Sequence, residues 1–192
     1  MSGHGFHVHG PHDHELEHQA QHEPHGLAGQ LAVITALLAT IGAFFGYMGG
    51  LTQADALLYK NNAAIAKTEA GDKWNFYQAK ANKQNLAELA MELVTSEDKR
   101  AKYQERSARY EKEKAEIKEE ADKFEADSRE WDEKSEHELH VHHRWAQATT
   151  ALQVSIALAA IALLTRKRWM KSATFVAGGI GMLLGLLAWM RI

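Results

Sequence analysis

The chain has 192 residues, two prolines, no cysteine and a formal charge of −3. That length allows one domain of ordinary size, and the missing thiols exclude disulfides, thiolate metal sites and cysteine nucleophiles. The mild acidity leaves no electrostatic footprint for nucleic acid, so no nucleic-acid partner is expected.

Residues 1–26 read as a histidine-rich tail expected to be disordered: His4, His7, His9, His12, His14, His18, His22 and His25 stand among acids and glycines. Neutral imidazoles in such a tract can hold Zn, Ni or Cu. The blander reading is a tail whose charge follows pH.

No Asp, Glu, Lys or Arg lies between Pro24 and Ala54, and residues 27–50 read as a first transmembrane helix. A helix needs roughly 20 apolar residues to cross the hydrocarbon core. The residues before it carry no Lys or Arg, which favours a retained span over a cleaved secretory signal. Gly42, Gly46 and Gly50, four apart, can let helix backbones touch. Gly49-Gly50 is expected to break the span from the polar helix after it, with Thr52 and Asp55 as a capping box.

Residues 51–145 contain a single glycine and no proline, and are rich in Ala, Glu, Lys, Leu and Gln. Such composition propagates helix. Punctuation at 95–98 (Thr-Ser-Glu-Asp) divides the region into two arms of nearly equal length, which predicts an antiparallel helical hairpin. In the second arm Tyr103, Tyr110, Ile117, Phe124 and Trp131 recur every seven residues, each followed four residues later by Ser107, Lys114, Ala121, Ser128 or Ser135. Large residues alternating with mostly small ones at heptad spacing describe a coiled-coil seam. The first arm offers Leu58, Ile65, Ala79, Leu86 and Leu93 on one register, interrupted by Asp72. Trp74, Phe76 and Tyr77 cannot all face one seam, so at least one of them is expected to contact another subunit or protein. The charges around the seam suit a solvated face.

His137, His140 and His143 share one helical face at the base of the second arm. They are the candidate metal ligands, against the plainer reading of imidazoles satisfied by water and lipid phosphate. No metal is required by the pattern.

Residues 146–165 and 172–190 are two further charge-free runs, read as the second and third transmembrane helices, joined by a basic loop at 166–171. Gly181 and Gly185 are further packing candidates, and Trp145, Trp169 and Trp189 sit at run ends, where an indole favours headgroup level. The alternative, three buried helices of a soluble bundle, leaves too little amphipathic surface to cover them. The positive-inside rule puts the basic loop in the cytoplasm and the hairpin in the periplasm. Against it, the tail this places inside has no Lys or Arg and carries Asp13, Glu15, Glu17 and Glu23, which leaves the opposite orientation open. The spans hold no ionisable residue, which removes the usual mark of an ion or proton pathway. There is no His-Glu-x-x-His, nucleophile elbow or glycine-rich phosphate loop, and no enzyme is expected.

Several stretches are family-like. They are His-Asp-His-Glu-Leu-Glu-His at 12–18, Phe-Gly-Tyr-Met-Gly-Gly at 45–50, and Thr-Gln-Ala-Asp-Ala-Leu-Leu-Tyr-Lys-Asn at 52–61. Trp-Asn-Phe-Tyr-Gln-Ala-Lys at 74–80, Trp-Asp-Glu-Lys-Ser-Glu at 131–136 and His-His-Arg-Trp-Ala-Gln-Ala at 142–148 join them. Together they resemble a domain-of-unknown-function family of small bacterial inner-membrane proteins. The resemblance implies that location and transfers no activity.

The expectation is therefore an all-α membrane protein with three transmembrane helices and an extramembrane antiparallel coiled-coil hairpin. Its partners would be the lipid bilayer, further copies of itself and a protein on the hairpin. Three roles are open: a self-associating scaffold, spacer or accessory subunit; a metal- or pH-responsive binding protein; and an ion-conducting homo-oligomer lined by Thr149, Thr150, Gln153 and Ser155.

Overall fold

The computed structural model describes residues 27–165 and 167–191. The histidine-rich stretch at 1–26 lies outside the described residues. Three helices make up the architecture: α1 (Leu27–Leu93), α2 (Glu97–Thr165) and α3 (Arg168–Trp189), with no strand among the described residues. All three contain a stretch long and apolar enough to cross a membrane.

The expected break at Gly49-Gly50 does not occur, for α1 runs unbroken through both glycines for 67 residues. Thr52 does not cap: its hydroxyl donates back to the carbonyls of Met48 (3.2 Å) and Gly49 (3.0 Å) inside the same helix. With no proline in α1, no backbone group is lost, and glycine alone weakens a helix by only about 1 kcal/mol. α3 opens at Arg168, so part of the basic stretch is already helical, and Lys171 donates to Gln30 Oε1 at 2.9 Å.

The chain divides into two compact units. The first combines residues 27–53 of α1, 139–165 of α2 and α3. Its core takes Leu38 and Phe45 from α1, Val141, Trp145, Ala148 and Leu152 from α2, and Ala188 from α3. Trp145 is 2% exposed, with its ring 5.1 Å from that of Phe45. It is a core residue, which corrects the headgroup placement drawn from its position at a run end; Trp169 and Trp189 are exposed. The physical reason is local: Gly49 faces the Trp145 Cβ and leaves room for the indole. Outside this core the surface is apolar too, with Val33, Leu37, Phe44, Val154, Ile161 and Val176 all exposed. Large apolar residues exposed on all three helices suit contact with lipid or another chain.

The second unit is residues 54–138, a hairpin whose first arm is 54–93 of α1 and whose second is 97–138 of α2. The turn falls at 94–96, where Arg100 donates through Nε to the Met91 carbonyl at 3.2 Å. Glu97 and Asp98 occupy the first turn of α2, where acids favour the positive end of the helix dipole.

Candidate functional site

The hairpin is held by small residues placed opposite each other. Ala56, Ala63 and Ala70 on the first arm are buried at seven-residue spacing, with Ala66 and Ala87 beside that line. From the second arm Ser135 Oγ donates to the Ala56 carbonyl at 2.8 Å and Ser128 Oγ to the Ala63 carbonyl at 3.0 Å. A serine hydroxyl reaches a backbone carbonyl on another helix only when the two backbones lie close, which alanine permits. Ala121, 0% exposed, continues the line on the second arm.

The large residues of the second-arm register sit along this seam. Ile117 is buried, while Tyr103, Tyr110, Phe124 and Trp131 are half-buried. Trp131 stacks on Tyr59 with ring centroids 5.6 Å apart. The first-arm register differs from expectation. Leu58, Ile65, Leu86 and Leu93 are 52–73% exposed and make no part of the seam, which runs along the alanines instead. The second arm already supplies the large side chains, so the first must supply the space.

Ion pairs flank the seam. Lys60 reaches Asp132 at 2.5 Å, Lys80 reaches Glu113 at 2.6 Å, Lys73 pairs with Glu120, and Lys67 lies 3.9 Å from Glu125. The hydrogen bond to Asp132, with that residue's charge behind it, holds Lys60 above the ordinary lysine value. Lys80 hydrogen-bonds Glu113 and draws its carboxyl below the ordinary range. Within the second arm Lys114 lowers Glu111 by the same means, and Glu111 raises Lys114 in return.

The three aromatics proposed as a partner surface divide. Trp74 Nε1 donates to Glu125 Oε1 at 3.1 Å and meets Tyr77 edge-on at 5.6 Å, and the Lys114 ammonium lies 5.5 Å from the Tyr77 ring. Both are half-buried within the hairpin, and Phe76 alone of the three is exposed, at 56%.

In the apolar unit the candidate packing glycines also divide. A Cβ on Gly181 would stand 2.7 Å from Leu152 Cδ2, one on Gly185 would run into the Phe45 ring, and Gly42 faces Leu152 at 3.9 Å. Gly46 and Gly50 face open space instead. Two glycines outside the sequence motif pack closely: Gly49 lies against Trp145 (3.3 Å), and Gly178 against Ser155 Oγ (3.1 Å) and Leu38 (3.4 Å). Ser155 is fully buried and donates to the Thr174 carbonyl at 2.6 Å. Of the residues considered as a channel lining, Ser155 therefore points into the bundle, while Thr150 and Gln153 are exposed. Thr149 and Thr150 both donate to carbonyls of their own helix.

His137, His140 and His143 are all exposed, and no group of three His, Asp or Glu side chains among the described residues could hold a metal ion. The structure does not gather them into a ligand set, because side chains on one exposed helical face spread apart into solvent. Among the described residues His142 has a hydrogen-bond partner, its Nδ1 lying 2.8 Å from the Gly49 carbonyl. A carbonyl only accepts, so that nitrogen carries the proton. His142 opens the family-like stretch at 142–148 but is not among the candidate ligands; the positional signal for its packing is its place seven residues after Ser135.

A family model described as a domain of unknown function, DUF4337, matches residues 27–191. No curated protein and no solved structure matches the chain.

Proposed function

The chain belongs to the DUF4337 family, a domain of unknown function, and from that premise we propose that it is a non-enzymatic bacterial inner-membrane protein that self-associates. Its role is that of a scaffold, spacer or accessory subunit carrying a helical hairpin outside the bilayer.

One observation carries the reading. Polar groups along the seam hold the two arms together: Lys60, Lys73 and Lys80 of the first arm bind acids of the second, and Ser128 and Ser135 of the second bind backbone carbonyls of the first. Such a hairpin is a stiff rod, and at 1.5 Å per residue an arm of its length reaches about 60 Å. The apolar outer faces of the other unit suit lipid. By the positive-inside rule the stretch 166–171 is cytoplasmic and the hairpin periplasmic.

The test is the mass of the complex in nanodiscs, measured with and without a chelator. A single oligomer that chelation leaves intact is expected. A monomer contradicts self-association, and an assembly that dissociates with the chelator moves the function to metal held by histidines.

A further inference from the structure

The back of the first arm, turned away from the alanine seam, carries a second seven-residue pattern. Leu58, Ile65, Asp72, Ala79, Leu86 and Leu93 form one line, and Ala54, Asn61, Thr68, Asn75, Asn82 and Leu89 form the next, three residues on. All twelve are exposed, and Asp72 is the single charge among them. The rest of the hairpin surface is the opposite. Residues 54–93 hold ten charged side chains, residues 97–138 hold 27, and every large apolar residue exposed on the hairpin belongs to the first arm.

We infer that this stripe seats the first arm of a second copy of the chain, in parallel, about a two-fold axis. The inference rests on the self-association proposed above and names the surface that performs it. Four observations select this occupant. The spacing is the first: contact with lipid or solvent needs no heptad, whereas a partner helix does. The second is chemistry on the axis. Asn61, Asn75 and Asn82 each carry both a donor and an acceptor, so an asparagine can pair with its own copy, as a lysine or glutamate cannot. Copies inserted the same way round in one bilayer run their first arms in the same direction.

Third, the flanks fit a parallel pair. Gly71, the one glycine of residues 54–138, has nothing within 4 Å of a built Cβ, and exposed Phe76 comes five residues later. In a parallel coiled coil these two positions meet across the interface, so each Phe76 ring covers the gap at the other copy's Gly71. The remaining flanking pairs set Leu57 against Asn62, Ala64 against Glu69, Gln78 against Lys83 and Asn85 against Ala90, with no like charges opposed. Fourth, the area suffices. A stripe about 60 Å long and about 10 Å wide buries roughly 600 Å² on each copy, near the lower bound of stable interfaces. The one discordant residue, Asp72, meets its own copy and keeps the pairing reversible.

The absence of native cysteine makes the test direct. Single substitutions Asn61→Cys, Leu89→Cys and, on the outer face of the second arm, Lys112→Cys are made in the full chain and oxidised in nanodiscs. A parallel pair brings both Asn61→Cys and Leu89→Cys within disulfide reach of themselves, and Lys112→Cys stays uncrosslinked. In addition Asp72→Asn should tighten the association about threefold, the size of an exposed charge-pair effect, with unchanged helical content. If Asn61→Cys and Leu89→Cys do not link while the mass shows an oligomer, the contact lies elsewhere and this inference is overturned while self-association stands. Equal linking through Lys112→Cys also overturns it, and a monomeric mass overturns both readings.

Discussion

The first arm of the hairpin presents alanine to its partner arm and leucine to the outside; the second presents tyrosine, phenylalanine and tryptophan inward and charge outward. Two helices of similar length thus divide the work of one seam unequally. The second arm sets large residues along the seam and needs mostly small ones opposite, where the first sets alanine, with Tyr59, Trp74 and Tyr77 half-buried beside it. Because alanine meets that need, the large apolar residues of the first arm are left over from the hairpin's own folding. Their regular spacing is what a second interface requires.

The apolar unit uses small residues in another way. There a glycine receives a large side chain from a neighbouring helix, as Gly181 receives Leu152 and Gly185 receives Phe45. In the hairpin small faces small, and serine hydroxyls bridge to the opposing backbone. The first arrangement depends on volume, the second on distance of approach and on charge.

Substitutions can break these contrasts in order of size. Trp145→Ala, which empties the centre of the apolar unit, should cost about 3–5 kcal/mol, seen as the largest drop in thermal midpoint of the full chain in detergent. Ala70→Leu, which enlarges a residue 1% exposed on the seam, should cost about 1–3 kcal/mol by overpacking. Ser135→Ala removes one bond between the arms and should lower stability by about 1 kcal/mol. Leu86→Ala sharpens the comparison from the other side. It removes more atoms than Ser135→Ala does, yet should change the stability of the dissociated chain by no more than about 0.5 kcal/mol, and weaken association instead.

The smallest effect is that of pH. Glu111 and Glu113 lie below the ordinary carboxylate range, so the stability they add is complete at neutral pH and is lost as pH falls through their lowered values. Lys60 and Lys114 lie above the ordinary lysine value, so theirs is complete below it and is lost as pH rises through their raised values. The hairpin's contribution to the thermal midpoint should be level between about pH 6 and 9 and fall modestly outside that window, since these pairs are exposed.

The legibility of the fold in the residues tracks the size of each signal. The helices are legible because the apolar runs are free of charge and the polar stretch lacks proline. The large residues of the second arm can be picked out because an aromatic residue or isoleucine at every seventh position stands out against Glu and Lys. The seam of the first arm is hidden, because alanine carries little hydrophobic signal and Leu58, Ile65 and Leu86 offer a louder register on the wrong face. Asp72, awkward in a seam, is the clue that this register points outward. Glycine spacing fails in a similar way: residues four apart share a face, but nothing in the motif says that Gly46 and Gly50 face open space while Gly49 and Gly178 pack. Continuity of α1 through Gly49-Gly50 could not be inferred locally either.

The most direct measurement is the distance between copies by pulsed electron paramagnetic resonance, with one nitroxide per chain at Asn75→Cys or at Lys112→Cys, in nanodiscs. The account predicts a short separation for the label at position 75, about 20 Å or less for adjacent helices, and a clearly longer one at position 112. A short distance at 112 with none at 75 would mean that the charged arm makes the contact, and the assignment of the two faces would be wrong.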